Sequence, residues 1–164
     1  MVFTEPLRGA LTGIDTDGQR TGTMATATRG SYGPKVRIIT ASAGTGRHRV
    51  EGTAVATGSG VIVSLTGGER PHVGAVGLGV PRPSLRDPAQ RSATSSVLTL
   101  TGHRDDALAK PLAELVASRL GQVAVVVVGV HIDDATEEDI ARLSEYTRQT
   151  AERLVAEILT GAGP

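Results

Sequence analysis

The chain has 164 residues, the size of one domain with one core. Basic and acidic side chains balance at 17 each, so bulk charge gives no case for nucleic acid or an anionic membrane surface. No apolar run reaches the roughly 18 to 20 residues of a membrane span, and the absence of cysteine removes disulfides, thiol nucleophiles and cysteine metal sites.

No basic-then-apolar signal pattern opens the sequence, which points to a cytoplasmic protein. Phe3, Tyr32 and Tyr146 are the whole aromatic set. The core must therefore be built from Val, Leu, Ile and Ala, and a flat ligand would meet backbone, aliphatics, His and Arg. Residues 1–34 are rich in Gly, Thr, Arg and Asp without a sustained apolar period. They read as a poorly ordered or loosely attached arm, ahead of a single domain over 35–160.

From Lys35 the texture changes. Val36 to Ser42 is β-branched and bounded by glycine, the pattern of a strand. Arg47 to Ala56 alternates between wetter and drier positions, a second strand, and Val61 to Thr66 is a third. The Gly-rich turns at 43–46 and 57–60 are too short for parallel crossovers and predict an antiparallel meander. Val73 to Val80 is a fourth strand. Its glycines at 74, 77 and 79 mark a bulge or a close backbone approach by a ligand or neighbour.

Pro81-Arg82-Pro83-Ser84 is expected to stop the ladder in an extended loop, and Thr94 to Leu100 is a fifth strand. Asp105 to Leu120 carries a helical stripe of Leu108, Leu112, Leu115, Val116 and Leu120. Pro111 predicts a kink or a split first turn, and Gly121 a stop. Val123 to Val130 is a continuous apolar run, as in a strand buried on both faces. Thr136 to Asp139 matches a capping box. Ile140, Leu143, Thr147, Leu154 and Ile158 then line one face of a long helix. The sum is α+β: a single, mainly antiparallel sheet of about six strands with two helices packed on one face. Its open face leaves room for self-association into a homo-oligomer.

The central stretch, 68–106, holds the candidate chemistry. Arg70, His72, Arg82, Arg86 and Arg91 fall in or beside turns. Forked guanidinium donors with glycine-rich backbone suit a phosphate or carboxylate, whereas the plain alternative is solvated surface arginines. Ser92, Thr94, Ser95, Ser96 and Thr99 form a hydroxyl-rich strand that suits a phosphate or ring edge, or equally cross-strand pairing on a wet face. His72, His103 and His131 lie near strand ends. With Asp105, Asp106, Asp133 and Asp134 they are candidates for a metal site or a general base, although about thirty residues between the histidines is no local ligand spacing. Hydrogen bonding to a ligand is favoured over metal. No nucleophile elbow, Walker loop or dinucleotide fingerprint is present.

The motifs Gly-Glu-Arg-Pro-His-Val-Gly-Ala-Val (68–76), Val-Pro-Arg-Pro-Ser-Leu-Arg-Asp-Pro (80–88), Ser-Ala-Thr-Ser-Ser-Val-Leu-Thr (92–99), Gly-His-Arg-Asp-Asp (102–106) and Val-Val-Gly-Val-His-Ile-Asp (127–133) resemble the LpdD-like prenylated-flavin chaperone family. The resemblance covers about Arg47 to Leu159 and leaves the first forty or so residues unmatched. The family is associated with UbiD-type decarboxylases. The resemblance implies a small cytoplasmic protein that is not itself an enzyme. It would bind prenylated FMN, or FMN, and mature or deliver it to a UbiD-like (de)carboxylase, with a flavin prenyltransferase as a further partner.

The motifs carry a candidate cofactor-binding set over as Arg70, His72, Gly74, Pro81, Arg82, Pro83, Ser84, Ser92, Thr94, Ser95, His103 and His131, with no catalytic or metal residue. Two other functions remain open at this point. One is a small hydrolase or lyase built on His72, His103 or His131 with Asp133, with or without a metal. The other is a non-catalytic structural subunit of a decarboxylase complex.

Overall fold

The structure, a computed structural model, describes residues 36–102 and 104–161. The expected N-terminal arm lies outside them. Six strands form one sheet: β1 (Arg37–Ala43), β2 (Val50–Ala56), β3 (Gly60–Gly68), β4 (Ala75–Pro83), β5 (Arg91–Thr99) and β6 (Val123–His131). Helices α1 (Asp106–Leu120) and α2 (Glu137–Thr160) complete the chain. The order across the sheet is β1-β2-β3-β6-β4-β5. Only the β3–β6 pair is parallel, with Gly60 beside Val123 and Gly68 beside His131. The sheet is thus mainly antiparallel, as the short glycine turns required, and β6 enters its centre after the α1 crossover.

Both helices cover the same face. Alternation along the strands sends Val63, Leu65, Val126 and Val128 towards them, where with Val116 and Leu154 they form the fully buried core. α1 meets the sheet through small residues. Ala109, Ala113 and Ala117 are buried beside Leu112 and Val116, whereas Leu108, Leu115 and Leu120 are only partly buried. The reason is the glycine floor of β4. A Cβ on Gly77 would stand 2.5 Å from the carbonyl oxygen of Ala109 and 2.9 Å from the Ala113 Cβ. The neighbour that the strand glycines foretell is therefore α1.

Three expectations need correction. The ladder does not stop at Pro81: β4 pairs with β5 as far as Pro83 opposite Arg91. Ser84 N–H donates to Gln90 O across the hairpin at 2.9 Å. Alternation therefore turns the nitrogens of Pro81 and Pro83 to the other side, where β4 has already lost β6 after Gly79 opposite Ala124. No ladder donor is needed there. α1 runs unbroken through Pro111, whose missing N–H forgoes a single backbone bond, the one to the carbonyl of Ala107. β6 is not buried on both faces. Ala124, Val126 and Val128 are, but Val125 and Val127 are half-exposed on the face without helices.

α2 begins at the expected capping box. Asp139 N–H donates to Thr136 Oγ1 at 3.2 Å, and Thr136 N–H donates to Asp139 Oδ2 at 3.0 Å. His48 Nε2, in a 3-10 turn over Gly46–His48, lies 2.6 Å from Asp139 Oδ1. The bonds from the Thr136 side chain and backbone, then the one from His48, hold the Asp139 carboxyl well below the usual carboxylate range. Ile140, expected on the core stripe, is exposed, and Thr150, Ala151 and Val155 are buried instead. No helix among the described residues is long and apolar enough to cross a membrane.

Two outcomes follow. Gly77→Ala must force α1 off β4, because the obstructing atom is backbone. It should lower unfolding stability by about 1–3 kcal/mol, read from urea denaturation. Asp139 has a depressed folded value, so its contribution is present above the unfolded carboxylate value of about 3.9 and is lost as pH falls through the folded one. The melting temperature of Asp139→Ala should lie below the parent's at pH 7, and the gap should close as the pH is taken below the ordinary carboxylate range.

Candidate functional site

The site grows from the place where β4 and β6 part. Their ladder starts at Ala75 opposite Val128, preceded by a bond from Gly74 N–H to Val128 O at 2.9 Å. Before that, the chain from Glu69 to Val73 leaves the sheet, and Val130 N–H needs another acceptor. Asp105, just ahead of α1, supplies it: Oδ1 accepts from Val130 N–H at 3.1 Å. Asp105 is buried, and its other oxygen lies 3.3 Å from His72 Nε2. His72 Nδ1 is 2.9 Å from the carbonyl oxygen of Arg70. Gly74 is needed here because a Cβ would strike the Asp105 carboxylate and stand 2.9 Å from His72 Nε2.

A second knot ties the end of β6. Glu69 N–H donates to His131 O at 2.7 Å. His131 Nε2 lies 3.0 Å from Asp133 Oδ1, and Arg70 Nη2 is ion-paired with Asp133 Oδ2 at 2.6 Å. Asp133 N–H donates to Glu69 Oε2 at 3.0 Å, and Arg47 Nη2 to Asp133 O, also at 3.0 Å. The His72 and His131 rings stand edge-to-face with centroids 6.3 Å apart. Beside them a cavity of about 470 Å³ opens between the starts of α1 and α2 and the end of β6. Leu108, Ile132 and Leu143 give it apolar walls, and Arg104, Asp105, His131, Asp139 and Ser144 polar ones.

The structure brings Arg70, His72, Gly74 and His131 to this corner. It sends Arg82, Pro83, Ser84, Ser92 and Thr94 to the far end of the β4–β5 hairpin. β4 has nine residues, so the two groups are roughly 25–30 Å apart. There Arg82 Nε donates to Thr94 Oγ1 at 2.8 Å and Nη1 to Pro83 O at 3.0 Å. Ser92 lies opposite Arg82, and Ser84 Oγ accepts from Arg86 N–H at 3.2 Å. Arg82 and Arg91 also border a shallower hollow of about 350 Å³. Ser95 points to the helix side and donates to Glu114 Oε1 at 2.5 Å, tying β5 to α1. His103 lies outside the described residues.

Among the described residues no group of three or more His, Asp or Glu side chains is arranged to hold a metal ion. The histidine–aspartate contacts are three separate pairs, His48–Asp139, His72–Asp105 and His131–Asp133. Sequence reasoning missed Arg104, although it stands in the Gly-His-Arg-Asp-Asp motif. It also missed the pairing of Ile140 with Ser144, whose spacing of four puts them on one helical face.

The buried acceptor at the fork gives a direct test. Asp105→Ala leaves the Val130 amide without its acceptor and should cost about 1–3 kcal/mol. Asp105→Asn keeps an oxygen there and should recover part of the loss, with Val130 amide exchange by NMR as the local readout.

No curated protein matches the chain. A chain in the crystal structure of a novel chaperone complex for yeast 20S proteasome assembly is 11% identical. It superposes with a TM-score of 0.50 over 78% of this chain and 98% of that one. At such identity the likeness is one of fold. The sequence pattern of the prenylated flavin chaperone LpdD-like domain matches residues 44–159, a span that takes in the β4–β6 fork, the cavity and both helices. The chain therefore belongs to the LpdD-like prenylated flavin chaperone family.

Proposed function

We propose that the chain binds prenylated FMN, or FMN, in the cavity at the end of β6 and hands it to a UbiD-like (de)carboxylase in the cytoplasm. The observation that carries this reading is the cavity itself. Its volume of about 470 Å³ lies within the roughly 300–1,000 Å³ of small-molecule sites, and its apolar walls with a few polar groups are the usual composition of one. Leu108, Ile132 and Leu143 suit the prenyl-derived ring and the flavin face. Flavin edges both donate and accept, which His131 and Ser144 meet.

The phosphate needs cationic, forked donors, and Arg104 in the wall and Arg70 beside His131 are such groups. His72 and Gly74 act behind them by fixing Asp105 and the entry to β4. Membership in a chaperone family fits a non-catalytic accessory protein, and holding a cofactor without reacting with it needs no catalytic set. A flavin prenyltransferase is the source of cargo in this scheme.

Arg82, Ser92 and Thr94 lie at the far end of the β4–β5 hairpin and are outside the proposed site. Retention of prenylated FMN and of FMN on a desalting column tests the assignment. The parent chain should retain prenylated FMN, and Arg70→Ala should weaken binding about tenfold to a hundredfold. Leu108→Trp, which fills the cavity, should abolish retention while leaving the far-UV circular dichroism intact. Arg82→Ala should change nothing. Loss with Arg82→Ala but not with Arg70→Ala or Leu108→Trp would move the site to the hairpin end. A parent chain that retains neither flavin would end the proposal.

A further inference from the structure

The β4–β5 hairpin runs on past the rest of the sheet. β4 leaves β6 after Gly79 opposite Ala124, yet it stays paired with β5 from Val80 opposite Thr94 to Pro83 opposite Arg91. At ordinary strand rise the ribbon projects by roughly 13 Å before its loop begins. A two-stranded ribbon alone is marginal in water, so this one is held by contacts of its own. Ser84 N–H donates to Gln90 O and Gln90 N–H to Asp87 O, both at 2.9 Å. Asp87 accepts from Ala89 N–H at 3.0 Å and from Gln90 Nε2 at 3.1 Å. The Arg91 guanidinium lies over Gly121, where a Cβ would come within 2.6 Å of Nη1, and sits 3.5 Å from Ser118 O at the carboxyl end of α1.

This end presents positive charge without counter-charge. Arg47, Arg49, Arg70, Arg142 and Arg148 each have a carboxylate partner. Among the described residues, Arg82, Arg86, Arg91 and Arg119 have none. Asp87 is the one acid between Pro81 and Arg91, and both its oxygens are taken up inside the loop. Arg82 uses two donors, on Thr94 Oγ1 and Pro83 O, of the five a guanidinium has. Arg86 and Arg91 are exposed, and between Arg82 and Arg86 stands Leu85, 89% exposed. Arg82, Pro88, Gln90 and Arg91 edge the hollow of about 350 Å³.

We propose that the hairpin end docks an acidic segment of a partner protein. Arg82, Arg86 and Arg91 receive its carboxylates, and Leu85 packs on an apolar side chain among them. Forked guanidiniums match carboxylates two bonds at a time. Arginine beside an apolar anchor is the usual composition of an interface hot spot, and a loop already fixed by its own hydrogen bonds loses little entropy on docking. The hollow is lined by no branched aliphatic or aromatic side chain, so it offers a flavin ring nothing to lie on. A nucleic acid strand calls for a longer cationic track and rings to stack on, and no aromatic residue lies between Val36 and Glu145. A second copy is disfavoured by geometry. The acids of this chain that cluster, Glu69, Asp133 and Asp139 among them, stand at the other end of the sheet, and such head-to-tail contacts do not close. The inference is independent of what the cavity holds.

Titration of the isotope-labelled full chain with a blocked Glu-Glu-Leu-Glu-Glu peptide, followed by amide shifts in NMR, tests the surface. The shifts should saturate and centre on 82–91, and the affinity should fall severalfold between 50 and 200 mM salt. Arg86→Glu reverses a charge whose backbone, not its side chain, is bonded within the loop. It should weaken binding about tenfold or more, and Leu85→Ser about threefold to tenfold. Arg142→Gln, on α2, should change nothing. The double variant Arg82→Glu, Arg86→Glu should bind Lys-Lys-Leu-Lys-Lys instead. The spectra report folding of each variant directly. Flavin retention by Arg86→Glu should equal the parent's, which separates this surface from the cavity.

Shifts that fall outside the hairpin, or a lysine peptide that perturbs the parent's hairpin equally, overturn the proposal. So does inorganic phosphate that reproduces the shifts and leaves the peptide nothing to add, which would make the hollow a small-anion site. Concentration-dependent growth in mass of the parent, lost in Arg86→Glu, would replace the partner protein with a second copy of the chain.

Discussion

The contact on which the rest depends is the backbone of α1 lying on a floor of glycine. Gly77 and Gly79 of β4 have no Cβ, so the carbonyls of Ala109 and Ala113 come down to the strand itself. Small residues on both sides permit an approach that leucines on either would prevent. The position of the whole helix follows from it, and so does the corner where the chemistry collects. Asp105 stands one turn before Ala109, and with the helix seated its carboxylate arrives at the fork between β4 and β6. There it satisfies Val130 N–H and meets His72. A stripe of alanine and glycine thus decides where a buried carboxylate sits, about one helical turn from the nearest part of that stripe.

The insertion of β6 has a matching effect at the sheet. β6 runs parallel to β3 and antiparallel to β4, so it separates the meander from the β4–β5 hairpin. At its carboxyl end the neighbouring strand β4 has not yet begun, and the edge groups left over are taken by Asp105 and by the turn carrying Glu69 and Arg70. A crevice at the carboxyl end of a central strand, where connections diverge, is the usual place for ligands in sheets with helical crossovers. Here the starts of α1 and α2 both approach it. The positive end of α2 is already met by the Asp139 capping box, and Arg104 is the arginine in the lining of the cavity.

Strand periodicity and glycine turns made the sheet, its meander and both helices legible, because each of these is written in residues close together in sequence. The capping box at Thr136 and the stop at Gly121, with φ 69°, are local for the same reason. Errors arose where the deciding partner is distant. Pro81 and Pro83 look like a ladder stop until β6 is known to end beside Gly79. The leucines of α1 look like its core stripe until the glycines of β4 are placed against the alanines. The candidate site shows the same divide. Arg70, His72, Gly74 and His131 lie in motifs some sixty residues apart that the fold joins. Arg82, Ser92 and Thr94 lie between those motifs in sequence and are carried away by the length of the hairpin. Ser95 and Thr94 are neighbours in the chain but lie on opposite faces of β5, since side chains alternate with a period of two.

Under the proposed function, the charges at the cavity explain how cargo is both held and released. Arg70 is engaged by Asp133, with side chains 69% and 44% exposed. An ion pair so open to water contributes little, of the order of 1 kcal/mol or less, so a phosphate with three acceptor oxygens displaces Asp133 readily. When the cargo leaves, Asp133 takes the guanidinium back, and no buried charge is left unpaired. The same holds for Asp105, whose bond to the Val130 amide is part of the fold and does not wait for a ligand. A cofactor enzyme gains from a site whose donors are unsatisfied until the cofactor arrives, because that makes the complex tight. A carrier gains from the reverse arrangement, in which each polar group has a substitute partner in the free protein. Under the proposed function, Arg70 and Asp105 follow that second plan.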